Sequence, residues 1–188
     1  LIACNNGVKP GAKRIKPEYD KRSGRLETLR YDSNGDGRMD MTSTMDGARV
    51  IKIEIDQDFD GRPDRWEYYD AHQKLEKVGF SRAGDGKEDA WSYADGAGNI
   101  ERIDVSTKRD GTIQRVEHYK NATLVGADED TDGDGKPDKW ETYDGDRLAM
   151  VAYDTLHRGT ADRRLIYGAN GRAQLEVDAR GNGTWTPR

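Results

Sequence analysis

Asp130-Thr131-Asp132-Gly133-Asp134-Gly135-Lys136-Pro137-Asp138-Lys139-Trp140-Glu141-Thr142-Tyr143-Asp144 joins two kinds of local chemistry in one stretch. The first half is an acidic loop with glycine at its sixth position. The second half, residues 139–143, is an aromatic-rich run bounded by turn residues, as strands are. The same design stands earlier as Asp56-Gln57-Asp58-Phe59-Asp60-Gly61-Arg62-Pro63-Asp64-Arg65-Trp66-Glu67-Tyr68-Tyr69-Asp70. The loop glycine recurs more widely, at Gly37, Gly61, Gly86, Gly111, Gly135, Gly159 and Gly183, with spacings of 24 or 25 residues. These mark loops 1 to 7. Tyr69, Tyr93, Tyr119, Tyr143 and Tyr167 run in step, with Tyr19 ahead of them. Two markers holding one period define a repeat.

Each unit reads as strand, short turn, strand, acidic loop. The returning segments alternate at period 2, with Ile51, Ile53 and Ile55 on one face and Leu148, Met150 and Ala152 likewise. A unit of this length has no room for two helices besides its loop. The expected fold is all-β: an antiparallel β-meander of repeated hairpins, with about fourteen strands, over residues 19–188 as a single repeat domain. Because turns and loops alternate, the acidic loops fall along one edge and the tyrosine turns along the other. A sheet of so many twisted strands is expected to curve or curl while staying open. The Tyr-Asp turns, Tyr69-Asp70 and Tyr143-Asp144, resemble the YD repeats of bacterial Rhs-type surface proteins, and the period is similar to that of MORN-type β-hairpin repeats.

Composition agrees with a thin fold. Of 188 residues, 36% are charged and 33% hydrophobic. Leu, Ile, Val and Phe make up about 15%, a level that points to disorder when net charge is also high. Here 36 acids nearly balance 31 bases, and the net charge is only -5. The periodicity then argues for ordered repeats with a narrow core. No stretch approaches the roughly 20 apolar residues of a spanning helix. The acidic balance gives no basic stripe for nucleic acid. A single Cys excludes a disulfide framework and a cysteine-based zinc site.

Loops 2 and 5 carry the candidate chemistry. They place oxygens at positions 1, 3, 5, 9 and 12: Asp56, Asp58, Asp60, Asp64 and Glu67, then Asp130, Asp132, Asp134, Asp138 and Glu141. Alternate carboxylates on a tight turn converge on one point, and calcium takes six to eight such hard oxygens. Position 7, Arg62 or Lys136, offers its carbonyl oxygen. These loops resemble the calcium loops of EF-hands and thrombospondin type 3 repeats, and the D-x-D-x-D-G loops of integrin-type β-propellers. The resemblance implies calcium as the cofactor and those residues as its ligands. Loop 1, with Asp32, Asn34, Asp36 and Asp40 but Ser43 at position 12, is expected to be a weaker site. Loops 3, 4, 6 and 7 lose the pattern: Ser81 and Ala83, Lys108, Arg158 and Arg180 stand among their positions. A Lys or Arg supplies an internal cation there, so these four are expected to be structural turns. Trp66, Trp91 and Trp140 share one offset from the loops, which favours a packed face over a sugar platform.

The chain opens Leu1-Ile2-Ala3-Cys4, which resembles the lipobox of bacterial lipoproteins and implies lipid on Cys4. Residues 1–18 read as that signal and a flexible basic tether, with Lys9, Lys13, Arg14 and Lys16 suited to anionic headgroups. His72, His118 and His157 are scattered, and no serine sits in a nucleophile elbow. The expectation is therefore a non-enzymatic, calcium-stabilised lipoprotein, periplasmic or at the cell surface. Its expected partners are the lipid bilayer, through the anchor, and a membrane-protein complex of the envelope on which it docks. The alternative is a surface module that binds glycan or peptidoglycan.

Overall fold

The computed structural model describes residues 14–188, and the segment with Cys4 lies outside the described residues. The chain divides into two compact units, residues 1–87 and 88–188. The described part of the first holds β1 Ile15–Tyr19, β2 Leu26–Tyr31, β3 Met41–Asp46, β4 Arg49–Ile55, β5 Arg65–Tyr69 and β6 Leu75–Phe80. The second holds β7 Ala90–Ala94, β8 Ile100–Val105, β9 Arg115–Lys120, β10 Thr123–Glu129, β11 Lys139–Asp144, β12 Arg147–Tyr153, β13 Arg163–Tyr167, β14 Ala173–Val177 and the two-residue β15 Thr186–Pro187. Within each unit every strand pairs antiparallel with its chain neighbours, and first and last strands do not meet. The expected all-β open meander is what the protein forms, with one short strand beyond the fourteen. β1 begins inside the segment read as tether.

The strands form where the alternation predicted, and the turns explain the tyrosine marker. Register slips by one residue between Tyr68 and Tyr69, and again between Thr142 and Tyr143, so a β-bulge precedes these turns. In two of the hairpin turns an aspartate closes the turn with its own side chain. Asp70 Oδ1 accepts from the amides of His72 (2.8 Å) and Lys74 (2.9 Å), and Asp95 Oδ1 does the same for Ala97 and Asn99. In the β9–β10 turn, Asn121 and Ala122 take φ of 51° and 60°, the pair of left-handed residues a two-residue hairpin requires.

Buried apolar residues are few: Trp66, Val78, Ala90, Val105, Ala127, Val151 and Ala152. Buried polar residues are as prominent, and they have a pattern. Asp32, Ser106, Asp154 and Asp178 occupy loop position 1, while Asp40, Asp89, Gln114 and Asp162 occupy position 9. Position 1 uses its side chain to accept the amide of the loop glycine, as Asp56 Oδ2 does from Gly61 (2.8 Å) and Ser106 Oγ from Gly111 (3.1 Å). Position 9 reaches back to the amide of position 2 or 3, as Asp64 does to Gln57 (2.8 Å) and Gln114 to Lys108 (3.1 Å). Loops then stack through the main chain. The amide of position 1 donates to the carbonyl of position 9 one loop earlier: Asp56 to Asp40 (2.8 Å), Asp130 to Gln114 (2.7 Å), Asp154 to Asp138 (2.8 Å), Asp178 to Asp162 (2.9 Å). Within each unit, polar side chains that are mostly hydrogen-bonded thus take much of the place of an apolar core, which is how so low a hydrophobic content supports an ordered fold.

Candidate metal centres

Three loops gather carboxylates. Asp56, Asp58 and Asp64 in loop 2 each offer an oxygen within 4.8 Å of the others, as do Asp130, Asp132 and Asp138 in loop 5, and Asp32, Asp36 and Asp40 in loop 1. The loops expected as two strong sites and one weaker are therefore those the fold draws together. Their shape comes from a run of local caps, each alternate residue accepting the amide two positions on. Asn34 accepts from Asp36, Asp60 from Arg62 (2.8 Å), Asp132 from Asp134 (3.0 Å), and Asp134 from Lys136 (2.8 Å). In loop 5, burial pushes the Asp130 carboxyl up, but amides of Gly135 and Gly133 outweigh it and hold the group below the usual carboxylate range. Loop 5 also has a lysine and a histidine from neighbouring loops beside it. Lys108 Nζ of loop 4 lies 2.8 Å from where a Cβ on Gly133 would sit. From loop 6, His157 Nδ1 approaches Asp132 Oδ2 at 3.1 Å.

No glutamate takes part in these three groups. Glu67 and Glu141, expected at position 12, lie on strands and are engaged there. Glu67 accepts from Arg65 (3.0 Å) and from the Tyr69 hydroxyl (2.6 Å). Glu141 accepts from Arg115 Nη2 (2.8 Å) and the Tyr143 hydroxyl (2.8 Å), and pairs with Lys139 Nζ (2.8 Å). Arg115 also bonds Glu117 through Nε (3.0 Å) and reaches Glu129 (3.5 Å), while Tyr119 donates to Glu117. These side chains share one face across β9, β10 and β11, since Arg115, Glu129 and Lys139 stand opposite one another, as do Glu117, Ala127 and Glu141. The sequence carried the signal as cation-x-Glu-x-Tyr: 65, 67, 69; 115, 117, 119; 139, 141, 143. Its presence after loop 4, which lacks the acidic pattern, shows that the glutamate has a set of strand partners that does not depend on an acidic loop.

This network has an acid signature. Burial pushes the Glu141 carboxyl up, but hydrogen bonds from Arg115, Lys139 and Tyr143 outweigh it and hold it at about 2 instead of 4.5. A depressed folded value gives stability that is full above the unfolded value and lost as pH falls toward the folded one. Between pH 4.5 and 2, unfolding free energy should fall by about 2 to 3 kcal/mol through this group. Denaturant titrations at several pH values measure it, and Glu141→Gln should flatten that part of the profile. Burial and Glu67 or Glu117 push Tyr69 and Tyr119 up to about 12, so both hydroxyls remain donors at neutral pH.

Several aromatic residues are engaged, while Tyr19, Tyr31 and Phe59 are exposed. Trp66 is buried, Arg102 lies over Tyr93 at 4.0 Å, Arg164 over Trp185 at 4.3 Å and Lys77 over Tyr68 at 4.7 Å. Compared with known proteins, the chain matches no family model and no curated protein.

Proposed function

We propose that the chain is a non-enzymatic, calcium-stabilised β-hairpin repeat module, tethered through lipid on Cys4 outside the cytoplasmic membrane and docking on a membrane-protein complex of the envelope. The observation that carries the cation part is the recurrence of three aspartate groups within the stacked loops, at positions 1, 3 and 9 in loops 2 and 5 and at positions 1, 5 and 9 in loop 1. Calcium suits such oxygen-only groups on flexible loops better than magnesium, which demands a tighter octahedron and gives up its waters reluctantly. The anchoring and docking part rests on Leu1-Ile2-Ala3-Cys4 and the basic residues behind it. Glycan binding, the alternative, needs free aromatic faces, and the cations over Tyr93, Trp185 and Tyr68 oppose it.

The test is fractionation of cells expressing the native chain and Cys4→Ser, followed by purification from native membranes in calcium. The native chain should sediment with membranes and bring down integral membrane proteins in fixed proportion. Cys4→Ser should appear in the soluble fraction. Retention of the variant in washed membranes counts against the lipid anchor, and purification of the native chain alone counts against docking.

A further inference from the structure

β1 departs from the chemistry of its counterparts in the repeat. Strands β5, β9 and β11 carry cation-x-Glu-x-Tyr, and the hydroxyls of Tyr69, Tyr119 and Tyr143 each donate to the glutamate two residues before. In β1 the same positions read Ile15, Pro17 and Tyr19, so both the cation and the acid are replaced. Ile15 is 53% and Tyr19 59% exposed, and Tyr31, opposite Ile15 on β2, is 37% exposed. Among the large hydrophobic side chains in the described part of the first unit, Tyr19 and Ile15 are the most exposed.

β1 is also the first strand of its sheet, with only β2 beside it. A free strand edge ordinarily invites another strand, but here the main chain opposes that. The Arg14 carbonyl accepts the Asp32 amide (2.8 Å) and the Asp20 amide donates to the Arg25 carbonyl (2.8 Å). The main-chain groups of residues 15, 17 and 19 therefore face away from β2. Pro17, at the centre of that outward row, has no amide to give.

The charge around these side chains is positive. From Arg14 to Tyr31 stand six cations and three acids, in a chain whose net charge is -5. Glu18 is held by Arg30, with Lys16 Nζ 3.8 Å away, and Asp20 accepts from the amide and hydroxyl of Ser23 (2.6 Å each). Lys16, Lys21 and Arg22 are exposed, against Glu27 as the exposed acid. Tyrosine and an aliphatic side chain beside lysine and arginine suit the headgroup boundary of a bilayer, where the ring sits at the interface and the cations meet lipid phosphate. The ten residues between Cys4 and Ile15 reach at most about 35 Å however they run, so lipid on Cys4 would keep β1 near the surface.

We propose that the outer edge of β1, with Ile15, Tyr19 and the neighbouring Tyr31, lies against an anionic lipid surface, with Lys16, Lys21 and Arg22 on its headgroups. The contact rests on the anchored reading for its place in the cell. It orients the tethered module without holding the chain alone, since each cation contributes only about fivefold to partitioning and salt washing removes it.

The full chain carrying Cys4→Ser is sedimented at low salt with vesicles of phosphatidylglycerol and, separately, of phosphatidylcholine. It should bind the first and not the second, and high salt should release it. Adding Lys21→Glu and Arg22→Glu should weaken binding by at least about twentyfold. Adding Ile15→Ser and Tyr19→Ser instead should also weaken it, and melting curves check that both variants stay folded. No binding to anionic vesicles, equal binding to both kinds, or full binding after the Ile15 and Tyr19 changes overturns the contact. A dimer that those two changes abolish, without vesicle binding, gives the edge to a second copy and overturns it too. The lipid-free chain keeps the two readings apart. Failure to bind vesicles, while the native chain still sediments with washed membranes, sinks this contact alone. Vesicle binding by a chain whose native form is soluble in cells sinks the anchor alone.

Discussion

Arg115→Ala is expected to lower the stability of the second unit by about 3 kcal/mol, since removing one partner of a largely buried ion pair leaves uncompensated charge behind. Arg115 is 17% exposed and is shared by Glu117, Glu129 and Glu141. After its removal Lys139 still serves Glu129 and Glu141, but Glu117 keeps only the Tyr119 hydroxyl. Urea unfolding followed by tryptophan fluorescence measures the loss. Arg115→Lys should recover less than half of it, because one ammonium cannot span three carboxylates as a planar guanidinium does. Equal stability of Arg115→Ala and the native chain would show the network to be energetically idle.

Removing calcium should have an effect of the same order or larger. An ion bound to the folded state adds RT ln(1 + [L]/Kd), about 2.7 kcal/mol per site at a hundredfold excess over Kd. With loops 2 and 5 both occupied, a chelator should therefore cost about 5 kcal/mol in total across the two units. Calcium should restore the melting temperature and magnesium should not. The loss should be local, with amides near loop 2 gaining hydrogen exchange in Asp58→Ala and those near loop 5 staying protected. An unchanged melting curve in chelator would argue that amide caps alone hold the loops.

The fold was legible because two markers kept one period, and because Ile51, Ile53 and Ile55 alternate as a strand demands. The grouping of Asp56, Asp58 and Asp64 was legible too, since alternate residues on a tight turn converge. Glu67 and Glu141 were assigned to the loops because position 12 of a familiar pattern expects a carboxylate. That pattern supposes the chain continues in the loop's curvature, whereas here β5 and β11 begin at Arg65 and Lys139 and turn the glutamates to a strand face. Arg158 could not be read correctly either. Its sequence position lies in loop 6, but glycine at 181 opens a place for it one loop away, and sequence separation hides that. The same blindness concealed His157 beside Asp132. Positions 1 and 9 were credited to metal, yet Ser106 and Gln114 perform the same capping in a loop with no metal pattern.

The main-chain bond that joins each loop to the one before it is indifferent to side-chain identity. Asp56, Ser106, Asp130, Asp154 and Asp178 all donate the same amide to the same carbonyl, whatever stands at positions 3 and 5 between them. Spacing and chemistry are therefore separate variables in this protein. Substitution at the exposed positions of one loop should change its charge without disturbing its neighbours' pitch. A whole hairpin can be duplicated or excised at a loop boundary and the two cut ends still present matching amide and carbonyl groups. The length of such an array is therefore set by how many hairpins are joined, and the character of each loop by its own few exposed residues.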